Sequence, residues 1–162
     1  MSTNIAAIVD YSAQVAASIQ DVRLYNGETI GVRAVFGTGQ GLYTDPLHPG
    51  EYIQPAPENP DEPYTHVSDL PDTPAIEYVT QSGLVSLEWT VPMSLIVNRG
   101  TLATLRQTMM PFYGPYLAAF LTDPTLGGLC EIAYIKNMRL GPEDQWDRLF
   151  MDLLVHEEVH FP

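Results

Sequence analysis

The sequence predicts an α+β fold in which an antiparallel β-sheet carries an N-terminal helix and a second helix on one face, together with a long proline-rich loop. Residues 84–97 and 149–161 alternate between apolar and polar side chains, which is typical of strands with one buried face. Residues 5–19 and 102–120 instead carry apolar side chains at helical spacing. The resulting order is helix, four strands, helix and two strands, which favours helices gathered on one side of an antiparallel sheet.

The first predicted element is a helix that ends near residue 18. The helix is preceded by residue types that cap helices, namely Ser2, Thr3 and Asn4. Its largely apolar stripe at helical spacing consists of Ile5, Ile8, Val9, Ser12, Val15, Ala16 and Ile19. A hairpin over residues 20–36 is expected next, because Asn26-Gly27 is a strong two-residue turn signal between two alternating segments.

Residues 37–74 are predicted to form one extended acidic loop within a single domain that spans residues 1–162. The segment has eight prolines, seven acidic residues and no Lys or Arg. Loops of this length inside a domain tend to be functional arms or disordered segments. Because proline-rich chains lose little entropy on docking, an arm laid on a neighbouring subunit and a solvated excursion are both open interpretations.

A short strand at residues 75–80 and a turn at Gln81-Ser82-Gly83 lead into the strand at 84–97. Pro92 in that strand cannot donate a ladder hydrogen bond, which predicts an edge or a bulge there. In the second helix, Pro111 and Pro115 predict a kink or a split. The aromatic residues of that helix share its stripe with Leu and Met, so we interpret them as core residues.

The last third of the chain contains a break at residues 123–128, a strand at 129–140, a loop at 141–144 and a final strand. The final strand includes His156-Glu157-Glu158-Val159-His160, which matches the zinc-hydrolase string HExxH. In a helix the two histidines reach one zinc ion, whereas in a strand they lie about 13 Å apart. Because residues 149–161 alternate, we predict a strand, and therefore no zinc site formed by His156 and His160.

Other candidate sites are weaker. Gly37-Thr38-Gly39-Gln40-Gly41 completes no nucleotide-binding signature, so we interpret it as a turn. His48 and His66 have no Cys partners, and Cys130, the single cysteine, is expected to be a buried apolar residue. Glu143, Asp144 and Asp147 suggest a polar loop tip. We therefore predict no catalytic, cofactor-binding or metal-binding residue, no cofactor, and no enzyme activity.

Charge and hydropathy narrow the classes of partner. With 20 acidic and 7 basic residues the formal charge is -13, which opposes tight binding of a phosphate backbone. Such a surface suits solubility, or a role in which a polyanion passes without being held. The first residues of the sequence have no positively charged n-region of the kind found in signal peptides. No apolar run approaches the length of a membrane-spanning helix, so we expect a protein that is made in a cytoplasm and does not enter a membrane.

The last third of the chain contains Asp123-Pro124-Thr125-Leu126-Gly127-Gly128-Leu129, a following strand, a loop with Trp146, and a closing strand from Arg148 to Phe161. On these features, residues 72–161 resemble the tail terminator (tail-completion) proteins of long-tailed bacteriophages. The N-terminal helix, the approach at Asp72-Thr73-Pro74 and the strand from Leu84 agree in order. The acidic loop at 37–74 is longer than the family pattern, which leaves the lumen and the tube-binding surface unassigned.

The resemblance implies a structural virion protein located at the head-proximal end of the tail. Six copies would form a homohexamer ring that caps the tail tube, stops polymerisation of the tail tube protein and joins the tail to a neck or connector protein. DNA would pass through the central channel without specific binding. Two alternatives remain open, namely a neck or head-completion (head-tail connector) protein, and a zinc-dependent hydrolase that uses the string at residues 156–160.

Overall fold

The computed structural model describes residues 5–25, 27–37, 43–44, 52–53, 64–67, 75–98, 105–143 and 146–160. Its helices are α1 (Ile5–Ala17), α2 (Leu105–Met109) and α3 (Tyr113–Thr122), with a 3-10 turn at Met110–Phe112 between the last two. Its strands are β1 (Val22–Arg23), β2 (Thr29–Ile30), β3 (Arg33–Gly37), β4 (Tyr43–Thr44), β5 (Tyr52–Ile53), β6 (Tyr64–Val67), β7 (Ala75–Val79), β8 (Leu84–Asn98), β9 (Ile132–Glu143) and β10 (Trp146–His160).

Eight of these strands form one sheet with the order β5-β4-β3-β6-β8-β10-β9, and β7 also pairs with β8. Neighbouring strands run antiparallel except β3 and β6, which are parallel. Strands β1 and β2 form a separate two-stranded ribbon. The α+β prediction is therefore confirmed, with one parallel pair added to an otherwise antiparallel sheet.

The core lies between the helices and one face of the sheet. Helix α1 contacts β3 and β6, α2 contacts β9 and β10, and α3 contacts β9 and α1. Most of the odd-numbered apolar residues of β8 and β10 are buried on this face, among them Val91, Leu95 and Leu153. Side chains alternate along a strand, so the even-numbered residues from 84 to 96 in β8 and from 148 to 160 in β10 lie on the opposite side, which we call the outer face.

Helix α1 confirms the predicted N-terminal helix. The buried residues of its apolar stripe include Ile8, Val9 and Ala16. Ser12 also lies in the buried stripe, and its hydroxyl donates a hydrogen bond to the Ile8 carbonyl at 2.7 Å, so no polar group is left without a partner there. The predicted caps at residues 2–4 lie outside the described residues.

The second helix is split at Pro111, as predicted, whereas Pro115 lies in the first turn of α3 and does not interrupt it. Helix α2 ends at Met109, the turn at Met110–Phe112 contains Pro111, and α3 begins at Tyr113. Proline lacks the N–H that an α-helical ladder needs, so the chain tightens into a 3-10 turn before it continues. The aromatic residues Phe112, Tyr116 and Phe120 are buried, which confirms their interpretation as core residues.

The predicted hairpin at 20–36 is shorter than expected. Its turn exists, since Leu24 N–H donates to the Glu28 carbonyl at 2.8 Å and Gly27 adopts a positive φ of 86°. Only Val22–Arg23 and Thr29–Ile30 pair across it. The chain then leaves the ribbon, and Arg33–Gly37 joins the main sheet as β3.

The prediction of one continuous loop at 37–74 is wrong at three places. Tyr43–Thr44, Tyr52–Ile53 and Tyr64–Val67 are strands, and the last of these is inserted between β3 and β8. Burial explains the insertion, because Thr65 and Val67 are fully buried on the helix side of the sheet. The other residues of this segment from 38 to 74 lie outside the described residues.

The ends of the last strands also shift. Gly141-Pro142-Glu143, predicted as a loop, continues β9 and pairs with β10 through Pro142↔Asp147 and Glu143↔Trp146. The start of β9 also differs from the prediction. The strand begins at Ile132, so residues 129–131, which were predicted to belong to it, precede it. The final strand at Trp146–His160 confirms the prediction of extended backbone through the HExxH string.

Pro92 lies in a central strand but at a local edge. Strand β7 pairs with residues 85–88 of β8, and β6 pairs with residues 93–96 on the same side. Within the described part of the chain, the intervening residues 89–92 therefore have no strand partner on that side. A missing N–H is tolerated at such a position, as the sequence predicted.

Among the residues that the structure describes, no helix has the length and apolar character needed to cross a bilayer.

Candidate functional site

The HExxH residues stand in β10 and split between the two faces of the sheet. His156 lies on the outer face opposite Glu88 of β8, and His160 lies opposite Leu84 at the end of the strand. Glu157 points the other way, into the core, and is only 3% exposed. A zincin site needs both imidazoles on one ion and the carboxylate beside the water bound to that ion, so this string does not form one here.

His156 instead meets two carboxylates that the sequence analysis did not single out. The side chains of Glu77, Glu88 and His156 come from β7, β8 and β10, and their ligand atoms all lie within 4.8 Å of one another. Together with the Ser86 hydroxyl they form what we call the carboxylate–histidine cluster. No local sequence signal marks it, because it depends on the pairing of three strands.

A bulge in β7 places Glu77 in the cluster. Ile76 pairs with Leu87 and Tyr78 with Ser86, so Glu77 is the extra residue between two regular pairs. Bulges bend the strand and redirect the side chain of the inserted residue. The Glu77 carboxylate is thereby directed across the outer face, where it reaches β10.

Ser86 links the members of the cluster. Its buried hydroxyl donates to Glu77 Oε2 at 2.8 Å and lies 3.2 Å from His156 Nε2. The other imidazole nitrogen, Nδ1, lies 3.2 Å from the same Glu77 oxygen. Both ring nitrogens are therefore engaged, which fixes the orientation of the imidazole.

The two carboxyl groups of the cluster affect each other in opposite directions. Hydrogen bonds from Ser86 and from Glu88, followed by the charge of His156, lower the pKa of Glu77. The hydrogen bond to Glu77 and desolvation raise the pKa of Glu88. Two neighbouring carboxyl groups behave in this way because both cannot ionise without repulsion unless a proton or a cation lies between them.

The remaining residues considered from the sequence do not gather into a site in the described part of the chain. Gly37 ends β3, while residues 38–41, His48 and Asp144 lie outside the described residues. His66 belongs to β6 and pairs with Ser94. Asp147 is buried in β10. Cys130 is buried, which confirms its interpretation as a core residue.

The segment at 123–128 is a tightly bonded loop that joins three elements. Asp123 Oδ2 accepts hydrogen bonds from the Tyr11 hydroxyl of α1 at 2.8 Å and from Gly127 N–H at 2.7 Å. The Ala133 N–H of β9 donates to the Pro124 carbonyl at 2.6 Å. The loop thus fixes the end of α3 against α1 and against the start of β9.

Positive charge gathers at the opposite end of the outer face. Arg139 of β9 and Arg148 of β10 flank the ring of Phe150, with guanidinium carbons 4.9 Å and 5.9 Å from its centroid. Lys136 and Arg139 also line a shallow cleft next to Phe150 and Asp152. Three of the seven basic residues of the chain therefore lie on these two neighbouring strands.

No protein-family model matches this chain, and a comparison with curated proteins also found no match.

Proposed function

We propose that this protein is a structural subunit of a phage tail terminator ring. In this role a homo-oligomer, expected to be a hexamer, caps the tail tube, stops its polymerisation and joins the tail to the neck. The subunit is made in the host cytoplasm and becomes part of the virion. The tail tube protein and a neck or connector protein are its partners, and DNA passes through the ring without being held.

The charge separation on the outer face carries this proposal. Arg139 and Arg148 lie on β9 and β10 toward one end of that face. Glu77 and Glu88 lie toward the other end, on β7 and β8. When one surface of a subunit complements a different surface of the next copy, the contacts are head-to-tail, and they form a ring when the rotation between copies closes.

Exposed apolar residues on two edge strands support the same arrangement. Ile76 and Val79 of β7 are 66% and 63% exposed, and Ile132 and Tyr134 of β9 are 46% and 40% exposed. Among the described strands, β7 pairs only with β8, and β9 pairs only with β10. Edge strands with apolar side chains need a cover, and a neighbouring subunit supplies one.

The strongly acidic composition supports the passage of DNA. A channel formed by subunits with a formal charge of -13 attracts no phosphate backbone, so a duplex slides without counterion release and tight binding. The same composition suits a neck protein, so partner binding has to decide between these two structural roles.

Native mass spectrometry of the purified protein tests ring assembly. We expect one species near six times the 18.0 kDa chain mass. Arg139→Glu should reduce that species strongly, because it places a negative charge where the acidic end of the next copy docks. Arg106→Glu serves as the matched control, since Arg106 is an exposed arginine on α2, away from the outer face. A monomer in the unmodified protein would contradict ring assembly.

Binding and genetic experiments test the place of the ring in the virion. We expect purified rings to bind isolated tail tubes, and deletion of the gene to give tails of uncontrolled length or tails that do not join heads. Binding to capsid portals without binding to tubes would instead assign the protein to the neck. Normal virions after deletion would contradict both roles.

A further inference from the structure

We propose that Glu77, Glu88 and His156 bind one divalent ion of the first transition series, with Zn²⁺ as the reference case. This inference is independent of the proposed function, because it depends only on side chains within one subunit. Each ligand comes from a different strand of the set β7, β8 and β10. The ion would therefore fasten the edge strand β7 to the two long strands beside it.

The hydrogen bonds of the cluster are compatible with a divalent ion. With the ion on Nδ1, the protonated Nε2 donates to the Ser86 oxygen, and the Ser86 hydroxyl donates to Glu77 Oε2. This arrangement leaves Nδ1 and the carboxylate oxygens of Glu77 and Glu88 to coordinate the ion. A metal-bound histidine that donates its second ring N–H to a protein oxygen is the usual arrangement at such sites.

The spacing of the ligand atoms also suits an ion. Ligands about 2.1 Å from Zn²⁺ in tetrahedral geometry lie about 3.4 Å from one another. His156 Nδ1 and Glu77 Oε2 are already 3.2 Å apart, and all three ligand atoms lie within 4.8 Å. Tetrahedral coordination would require the Glu88 carboxylate to move closer to the other two ligand atoms. An imidazole with two carboxylates is a ligand set that suits Zn²⁺ and its neighbours better than Mg²⁺.

Access and surroundings favour a structural ion over a hydrolytic one. The His156 and Glu77 side chains are 24% and 37% exposed, so an ion can enter from solvent and a water molecule can fill the fourth position. Glu157, which would activate water in an HExxH enzyme, faces the core and accepts a hydrogen bond from Trp89. The inferred role is therefore to stabilise the position of β7.

Cobalt substitution and calorimetry test this site. Purified protein treated with chelator is titrated with Co²⁺, followed by visible absorption, and separately with Zn²⁺ by isothermal titration calorimetry. We expect one ion per chain and a higher melting temperature with Zn²⁺. His156→Ala and Glu88→Gln should each weaken binding by more than about 100-fold, and Ser86→Ala by about 10-fold, as expected for a residue that orients a ligand.

His160→Ala is the matched control and should bind as tightly as the unmodified protein. Each variant is first compared by circular dichroism without metal, and the exposed Glu77→Gln variant replaces any that does not fold. Absence of stoichiometric binding by the unmodified protein would overturn the proposal. Equal losses in His156→Ala and His160→Ala would also overturn it, because they would indicate the HExxH arrangement instead.

Discussion

Trp89 and Glu157 form a hydrogen bond inside the core, in which the indole Nε1 donates to Glu157 Oε2 at 2.8 Å. Both side chains are almost completely buried, on neighbouring strands β8 and β10. This bond explains why a carboxylate interrupts the apolar row of the final strand. A buried polar group is tolerated when its partner is fixed nearby.

We expect Glu157→Ala to lower the free energy of unfolding by about 1–3 kcal/mol, because it leaves the buried indole N–H without its acceptor. Glu157→Gln keeps an acceptor oxygen at nearly the same place and should cost less. Urea denaturation of both variants measures the difference. Equal losses in the two variants would show that the hydrogen bond does not stabilise the fold.

The Asp123 carboxylate should make stability depend on acid pH. Hydrogen bonds from Tyr11, from Gly127 N–H and from Thr125 lower its pKa in the folded state. A carboxyl whose pKa falls on folding stabilises the protein above its unfolded pKa, and this contribution disappears as the pH falls through the folded value. We therefore expect the unfolding free energy to decrease below about pH 4.

Asp123→Asn should remove part of that acid dependence and should also lower stability at neutral pH. Glu131→Gln is the control, since Glu131 is an exposed carboxylate close in sequence. Denaturant midpoints between pH 7 and pH 2 measure the effect. If Asp123→Asn and Glu131→Gln show the same pH profile as the unmodified protein, the loop carboxylate does not contribute.

The two glycines of the loop allow backbone strain to be separated from a side-chain clash. Gly127 and Gly128 have positive φ values of 69° and 85°. A Cβ at Gly127 would lie 3.0 Å from Tyr11 Cε2, whereas at Gly128 nothing lies within 4 Å. Gly128→Ala should cost about 1–2 kcal/mol for the left-handed backbone alone, and Gly127→Ala should cost more. Thermal denaturation checks the order, and a reversed order would contradict the packing of Tyr11 on the loop.

Cys130 should be nearly inert toward thiol reagents while the protein is folded. Burial, followed by the charges of Glu157 and Glu131, raises the pKa of this thiol to about 11. Because the thiolate is the reactive form, we expect its reaction with a disulfide reagent at pH 8 to be more than about 100-fold slower than in denaturant. The chain has one cysteine, so the absorbance change reports this residue alone. A rate equal to that of the unfolded protein would contradict its burial.

The long elements could be predicted because their patterns extend over many residues. Strands β8 and β10 alternate over their length, and α1 keeps its stripe over several turns. Pro111 is also a local signal, since a missing N–H acts on its own turn, whereas Pro115 is accommodated in the first turn of α3. The long patterns and Pro111 need no knowledge of distant contacts, and the structure confirms them.

The short strand β6 could not be predicted, because Tyr64–Val67 is too brief for a periodic pattern and lies among prolines. Its position follows from the burial of Thr65 and Val67 against residues far away in the sequence. The carboxylate–histidine cluster could not be predicted for a related reason. Glu77, Glu88 and His156 meet only through the register of three strands and a bulge, and neither is encoded locally.

The pairing of β8 with β10 has a consequence for biosynthesis. Leu84 pairs with His160 and Asn98 with Trp146, so every rung of this ladder spans a long stretch of chain. Non-local pairings of this kind slow folding, because loop closure costs entropy before the contacts form. On the ribosome, β8 must therefore wait, with its apolar face exposed, until residues 146–160 have emerged.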